Sequence, residues 1–395
     1  MFTTTEIVLL SALMLFFITQ LFFYWFVLAK PYYRFRRGKK SARHSSASGF
    51  KGNEPPVSVI ICIRNKFYDL KDFLPAIMEQ DYLKFEVIVV NDGQSDINEE
   101  TMTIMKEKYD NLYVTNIPEH TLNVSRKKLG LTLGIKAAQY DYLLFIEADS
   151  IPVSKDWIKL MTKHFLRNKS IVLGFSARDG KKGFSSKFIT YDYFFSNLQE
   201  ISLALFHRPY AANGRNLAYA KQYFTEHKGF SKYRILQQGE DDLFVNEIAD
   251  KHNTAVELSH DSLVHTELSS AGWMQLKRNK AITKRFYKRG PVALWRLEWW
   301  SRAGFFLSLT ACMLHGDPFF SLSDFIFPVV AVFCFSTRLF SQIFVINKIA
   351  KCLRTEKFYV TLLFFDIIQL FVNIYFYTYY IGHKKENYTT NYEKR

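Results

Sequence analysis

Apolar positions along this chain fall into three patterns, and each predicts a different kind of element. Residues 6–29 (EIVLLSALMLFFITQLFFYWFVLA) form an apolar run interrupted by Glu6 and Gln20. At about 1.5 Å of rise per residue it can cross roughly 30 Å of hydrocarbon, so it predicts a transmembrane helix. It lacks the basic leading region and small-residue cleavage site of a signal peptide, and its apolar core is too long for one. From Val57 the pattern changes to short continuous runs, VSVIICI, FEVIVV, LYVTNI, DYLLFIEAD and SIVLGF, separated by amphipathic stretches at 69–79, 98–108, 126–139 and 155–167. Short β-branched and aromatic runs alternating with helices predict parallel strands buried on both faces, an α/β class with a mostly parallel central sheet. From about Trp299 the long runs return. Residues 325–347 and 358–382 are each long enough to span a bilayer, and 299–316 is a shorter third candidate. Arg338 and Asp366 inside these runs need a bundle interior or an interface.

These patterns divide the chain into an N-terminal transmembrane helix (1–30), a basic linker (31–55), an α/β domain (56–270), basic and aromatic interface helices (271–302), C-terminal transmembrane helices (303–383) and a polar tail (384–395). Residues 40–55 are rich in Ser, Gly and Lys and end in Pro55–Pro56, a composition that cannot bury a core. Trp295, Trp299 and Trp300, with Arg296 and Arg302 among them, form an aromatic and cationic belt of the kind found at a membrane surface.

Charge refines the picture without changing it. Lys30, Arg34, Arg36, Arg37, Lys39, Lys40 and Arg43 follow the first span, and such clusters are retained on the cytoplasmic side of a bacterial-type inner membrane. The formal net charge is +15. Much of the excess lies beside apolar spans, where topology and anionic membrane lipids account for it, so no nucleic-acid partner is needed. The four cysteines, Cys62, Cys312, Cys334 and Cys352, show no CxxC spacing and read as small apolar residues.

In open α/β sheets ligands gather at the carboxyl ends of the strands, so the residues after each apolar run carry the candidate chemistry. Asp92 ends FEVIVVND and is followed by Gly93; a carboxylate there can bind a nucleobase or ribose, although Asp-Gly is also a common turn. Glu147 and Asp149 end LLFIEAD and can offer oxygens to a hard divalent cation, or cap the next helix. Glu240, Asp241 and Asp242 open the segment GEDDLFVNEIA. Acids favour a helix N-terminus, which explains one or two of them; a general base for deprotonating a hydroxyl would also sit well here. Gln275 and Arg278 share a helical face at i and i+3, where an amide and a guanidinium could hold an acceptor and a diphosphate; a basic helix beside a membrane also meets lipid phosphates.

Taken in order, these segments resemble family 2 glycosyltransferases with the GT-A fold, in the inverting, membrane-embedded branch that includes cellulose, chitin and hyaluronan synthases. The resemblance covers about residues 56–290 and the flanking spans. VSVIICIRN is similar to the family's opening strand and loop, which implicates Arg64 and Asn65 at the nucleotide. FEVIVVNDGQSD is similar to its nucleoside-binding strand end, which gives Asp92 the base. RKKLGLTLGIKAAQYDYLLFIEADSIP looks like its basic helix and DxD motif, which gives Lys127 or Lys128 the phosphates and Asp149, with Glu147, the metal. AANGRNLAYAKQYF resembles its acceptor-side strand, with Gly214 and Asn216. GEDD is similar to its catalytic Glu240–Asp241 pair with Asp241 as base, and QLKRN is similar to its QxxRW motif.

The resemblance implies hexosyl transfer from a nucleotide sugar, most often a UDP-sugar, onto a lipid-linked or polysaccharide acceptor, with Mg²⁺ or Mn²⁺ as cofactor and an export or synthesis complex as possible company. Three positions depart from the pattern. Lys66 stands where an acid commonly follows Arg-Asn, Glu147 replaces the first Asp of DxD, and Asn279 replaces the Trp that processive synthases carry. The same departures would allow a second reading, a catalytically silent partner subunit of a membrane polysaccharide-synthesis complex.

The basic cluster after the first span predicts a cytoplasmic linker. A reporter cysteine at Ser45 should be shielded from a membrane-impermeant thiol reagent in intact cells and become reactive only after permeabilisation; labelling in intact cells would reverse the assigned orientation.

Overall fold

The computed structural model describes residues 3–42, 54–63, 67–92, 99–118, 125–315 and 322–382. Arg64, Asn65, Lys66 and Gly93 lie outside the described residues. The chain separates into two compact units, one of residues 1–34 and 288–375, the other of residues 35–287 and 376–395.

The second unit is the α/β domain. Its main sheet takes β1 (Val57–Ile63), β2 (Phe85–Asn91), β3 (Leu112–Asn116), β4 (Tyr142–Phe145), β6 (Ile171–Leu173), β8 (Leu217–Ala220) and β9 (Thr254–Val256) in the order β3-β2-β1-β4-β8-β6-β9. A second sheet takes β5 (Ser150–Pro152), β7 (Ser176–Arg178) and β10 (Val264–Thr266) in the order β5-β10-β7. The apolar runs of the sequence become the strands, and β1 and β2 are buried at nearly every position, as strands covered on both faces must be.

β1, which ends at Ile63, pairs in parallel with both β2 and β4, so Asp92 and Glu147 follow strand ends on the same edge of the sheet. β8 is the exception to the parallel pattern. It runs antiparallel to β4 and to β6, with Leu217 opposite Phe145. Because of that reversal β8 begins where β4 ends, and the residues just before Leu217 arrive beside the acids just after Phe145.

The helix Arg126–Ala137 crosses behind this edge. Ser125 caps it, accepting from the backbone N–H of Lys128 at 3.4 Å and donating its own hydroxyl to the Gln237 carbonyl at 2.6 Å. The helix can lie close to the sheet because Gly134 has no side chain. A Cβ there would stand 2.8 Å from Ile60 Cγ2 and 3.0 Å from Val90 Cγ2, two stiff β-branched side chains.

The other unit is helical. Thr4–Phe22 continues through a π-helical stretch, Phe23–Leu28, and is accompanied by Arg289–His315, Leu322–Cys352 and Thr361–Gly382. Among the described residues, three helices are long and apolar enough to cross a membrane: Thr4–Arg37, Phe325–Cys352 and Thr361–Tyr379. The shorter sequence candidate at 299–316 belongs to one continuous helix that starts at Arg289. Ile7, Val8, Leu15, Ile18 and Phe26 are exposed on the first of these helices, a face suited to hydrocarbon rather than water.

The charges inside the apolar runs find one another. Arg338 pairs with Asp366 at 2.7 Å, and Arg302 pairs with Asp366 at 3.1 Å and with Glu298 at 3.3 Å. Gln20 accepts from Arg338 at 2.8 Å and donates to Ser301 at 2.8 Å, which explains the one buried amide in the first span. Two cations and two carboxylates in hydrogen-bonded contact avoid the cost of an isolated buried charge.

The close helix–sheet approach yields a stability prediction. Gly134→Val should cost about 1–3 kcal/mol through overpacking against Ile60 and Val90, read as a lower melting temperature of the detergent-purified protein. An unchanged melting temperature would contradict the packing described.

Candidate functional site

The site is assembled within the α/β unit where five chain segments meet. Asp92, directly after β2, is buried and its backbone N–H donates to the Ile63 carbonyl at 3.0 Å. Its carboxylate is paired with the Arg126 guanidinium, which also donates to the Asp92 carbonyl. Arg126 is the first residue of the basic helix, so Asp92 and the start of that helix are tied together.

Lys127, one residue on, bridges two acids from distant parts of the chain. Its Nζ lies 2.8 Å from Glu147 Oε1 and 2.7 Å from Glu240 Oε1. Burial by itself would lower the Lys127 pKa, but the carboxylates of Glu147, Glu240 and Asp241 outweigh it and hold the ammonium well above the usual lysine value. Lys128 faces the other way. Its buried Nζ donates to the carbonyls of Tyr233 and Leu236 at 2.6 and 2.8 Å, anchoring the loop that leads to the acidic run, and burial lowers its pKa to about 8.

The acids after β4 are met by Arg215, delivered by the antiparallel β8. Its Nε and Nη2 reach Asp149 Oδ1 and Oδ2 at 3.0 and 2.8 Å, a bidentate fork, and Nη2 also reaches Glu147 Oε2 at 2.7 Å. Ser150 donates to Asp149 Oδ1 at 2.9 Å. Burial opposes the charged guanidinium, yet Glu147, Tyr193 and Asp149 hold the Arg215 pKa well above its ordinary value. Asn216, next in the chain, is turned inward. Its amide donates to the carbonyls of Phe175 and Ser262 and accepts from Trp157 Nε1, pinning the start of β8.

The three acids of the GEDD segment have three environments. Gly239 takes φ +103°, and a Cβ there would stand 2.5 Å from Leu243 Cδ1, so the turn into the run needs glycine. Glu240 is buried; one oxygen meets Lys127, while Oε2 makes no hydrogen bond among the described residues. Asp241 caps the helix Asp242–Ile248, accepting from the Asp242 N–H at 2.7 Å and from the Gly214 N–H at 2.9 Å. Asp242 points into the interior and accepts from the hydroxyls of Thr283 and Tyr287, each at 2.5 Å. Cys62, Lys127, Glu147, Gly214, Glu240 and Asp241 line one pocket.

The helix Ser270–Thr283 holds Gln275 and Arg278. Its inward side is fixed on the helix Phe184–Leu205 by Trp273 Nε1 and Lys277 Nζ on Asp192 at 2.9 and 3.1 Å, and by Lys280 on Glu200. Gln275 is exposed and donates to Asn279 at 3.0 Å, and the Arg278 guanidinium lies over the Tyr379 ring at 4.7 Å. Among the described residues, neither is joined to the acidic pocket by a hydrogen bond.

Glu147, Asp149, Glu240 and Asp241 against Lys127 and Arg215 leave a residual formal charge of −2. Charge and donor type therefore fit one hard divalent cation, with Glu147 and Asp149 as its protein oxygens. Among the described residues no group of three or more His, Cys, Asp or Glu is arranged as a ready metal cage, so oxygens from a bound ligand would complete the coordination.

Comparison with known proteins bears on the family and the fold. The family model described as Glycosyl transferase family 2 matches residues 58–224, from β1 through β8. Residues 58–224 form a family 2 glycosyltransferase domain. The poly-beta-1,6-N-acetyl-D-glucosamine synthase of Staphylococcus epidermidis is 28% identical to the chain over 167 residues, 38% of this chain and 37% of that protein. The synthase of the same name from Staphylococcus aureus (strain COL) is 31% identical over 133 residues, 30% of this chain and 31% of that protein. The chain thus spans about a third of the length of these curated relatives. Among solved structures, the mannosyltransferase PcManGT from Pyrobaculum calidifontis, in complex with GDP-Man and Mn²⁺, superposes with a TM-score of 0.53 at 16% identity, covering 92% of this chain and 99% of that one. The glycosyltransferase domain therefore has the GT-A fold, with β8 making its sheet mixed rather than wholly parallel.

Two site residues escape sequence reading. Arg126 stands beside Lys127 and Lys128, but only the structure shows that the first of the three turns to Asp92. Arg215 sits in the quoted NGRN segment between Gly214 and Asn216, and its partners lie 66 residues away.

Asp242 supplies a pH prediction. Burial, reinforced by Asp241, raises its pKa from an ordinary 3.8 to about 7. The folded protein then keeps a proton that the unfolded chain has released, so this contribution to stability is complete below the unfolded value and is lost as pH rises through about 7. The melting temperature should fall between about pH 5.5 and pH 7.5, and Asp242→Asn should flatten that slope. An equal slope in the variant would remove Asp242 from the account.

Proposed function

We propose that the chain is an inverting glycosyltransferase that moves a hexosyl group from a nucleotide sugar to a lipid-linked or polysaccharide acceptor at the cytoplasmic membrane face. The observation that carries this reading is the convergence of Asp92, Lys127, Glu147, Asp149, Glu240 and Asp241 on one sheet edge of a family 2 domain. Asp92, oriented by Arg126, takes the nucleoside. Lys127 neutralises the diphosphate, and Lys128 holds the loop behind it rather than the phosphate. Gln275 and Arg278 close on the acceptor or diphosphate side once ligand is bound.

Glu147 and Asp149 would hold a divalent cation, Mg²⁺ or Mn²⁺, which supplies charge neutralisation at the leaving diphosphate. Asp241 removes the proton from the acceptor hydroxyl as that oxygen attacks the anomeric carbon, and the C–O bond to the diphosphate breaks on the opposite face. Its two backbone hydrogen bonds, from Gly214 and Asp242, fix the carboxylate's direction. Glu240, with one oxygen on Lys127 and the other without a hydrogen bond among the described residues, is placed to align the acceptor.

The staphylococcal relatives are named for an N-acetyl-D-glucosamine polymer, so UDP-N-acetylhexosamines are the first donors to test, with GDP-mannose second after the Pyrobaculum protein. A silent partner subunit has less support, because every acid of the site is present.

The test measures nucleoside diphosphate release and transfer by the purified protein in detergent. Asp241→Asn should keep donor affinity and lose about 10²–10⁴ in turnover, far beyond the ~1 kcal/mol expected of a helix cap alone. Asp149→Ala should abolish metal-dependent donor binding, while Glu147→Asp keeps activity. Near-normal turnover of Asp241→Asn would overturn the assignment of the base, and no release from any nucleotide sugar would favour the silent subunit.

A further inference from the structure

Arg215 presents a conflict within the site. The oxygens that a divalent cation would need are held by side-chain cations: Asp149 offers both carboxylate oxygens to the guanidinium fork, and Glu147 divides its two between Arg215 and Lys127. The guanidinium is itself buried, with a side-chain exposure of 7%, so it cannot relax into bulk water when displaced. A metal ion seated on Asp149 beside it would meet a like charge within a few ångströms in a poorly solvated pocket, where charges interact far more strongly than in water. The guanidinium therefore needs a new anion before it can release the acids.

We propose that Arg215 is a positioning residue that acts as a built-in stand-in for the metal: in the donor-free protein it holds Glu147 and Asp149, and it yields them only when a nucleoside diphosphate offers its fork replacement oxygens. The inference rests on the glycosyltransferase reading and adds a coupling that this reading does not require. A planar, permanently charged fork suits the exchange, because carboxylate and diphosphate present oxygens of matching spacing. The local backbone supports it too. Gly214 and Asn216, on either side of Arg215, are tied to Asp241 and to Phe175, Ser262 and Trp157, so the side chain can swing while its Cα stays fixed.

Two consequences follow by linkage: metal alone binds weakly, and metal and diphosphate strengthen each other by the same factor. The experiment titrates Mn²⁺ by the loss of its free-ion EPR signal, on the full-length protein in detergent, without ligand and with saturating UDP or GDP. In the wild type, nucleotide should tighten Mn²⁺ binding at least about tenfold, the size of one charged hydrogen bond. Arg215→Met should bind Mn²⁺ in the absence of nucleotide at least about tenfold more tightly than wild type, and the nucleotide effect should shrink correspondingly. Arg215→Lys, which keeps the charge, should stay close to wild type without nucleotide.

Equal or weaker Mn²⁺ binding by Arg215→Met would overturn the proposal, as would nucleotide-independent Mn²⁺ affinity in the wild type, an arm that needs no variant to fold. Asp149→Asn separates the two levels. If it loses Mn²⁺ while Arg215→Met gains nothing, the metal site stands and the stand-in role falls. If no form binds Mn²⁺ even with nucleotide, the metal reading falls and takes this proposal with it.

Discussion

Lys127 sits between Glu147, at the end of β4, and Glu240, at the entrance to a helix formed nearly a hundred residues later, and one ammonium within 2.8 Å of both makes a single site of them. Without it the two acidic segments would repel each other across the pocket. With it, Asp241 is held one residue from the bridge, and Glu147, Glu240 and Asp241 line one pocket. The bridge depends on the placement of the basic helix, and that placement depends on Gly134 and on the Ser125 cap that ties the helix start to Gln237. Sheet packing, helix capping and site electrostatics thus form one chain of dependence.

The same economy of charge appears in the helical unit, where Arg302, Arg338, Glu298 and Asp366 neutralise one another and Gln20 links them to the first helix. There the pairs remove a burial cost. In the α/β unit the pairing is unequal, and the residual negative charge is what leaves a place for a cation. A family 2 domain and an apolar helical unit are thus carried by one chain.

Much of the fold was legible because strands covered on both faces leave short continuous apolar runs, and five of these runs became strands of the main sheet. β8 was harder to read. Its four residues, LAYA, carry too little pattern to reveal direction, and only its pairing with β4 and β6 shows that it runs backwards. That reversal is also why Arg215 was missed: counter-ions come from other strands and share no spacing with the acids they meet. The strand-end acids themselves are legible from position, since ligands of open α/β sheets gather at the carboxyl ends of the strands. Lys128 and Asn216 illustrate the opposite limit. Residue type and position fitted phosphate or acceptor contact, whereas packing decided which way each side chain turned; a one-residue step reverses that direction along a strand and rotates it by about 100° along a helix.

The most direct test of the site as a single electrostatic unit is the affinity of the purified protein for UDP and GDP in Lys127→Met and Lys127→Arg variants. The account predicts that Lys127→Met remains folded and loses about 10- to 100-fold in nucleoside diphosphate affinity, the size of one or two charged hydrogen bonds, with Lys127→Arg retaining part of it. A Lys127→Met protein that binds nucleoside diphosphates as the wild type does would contradict it.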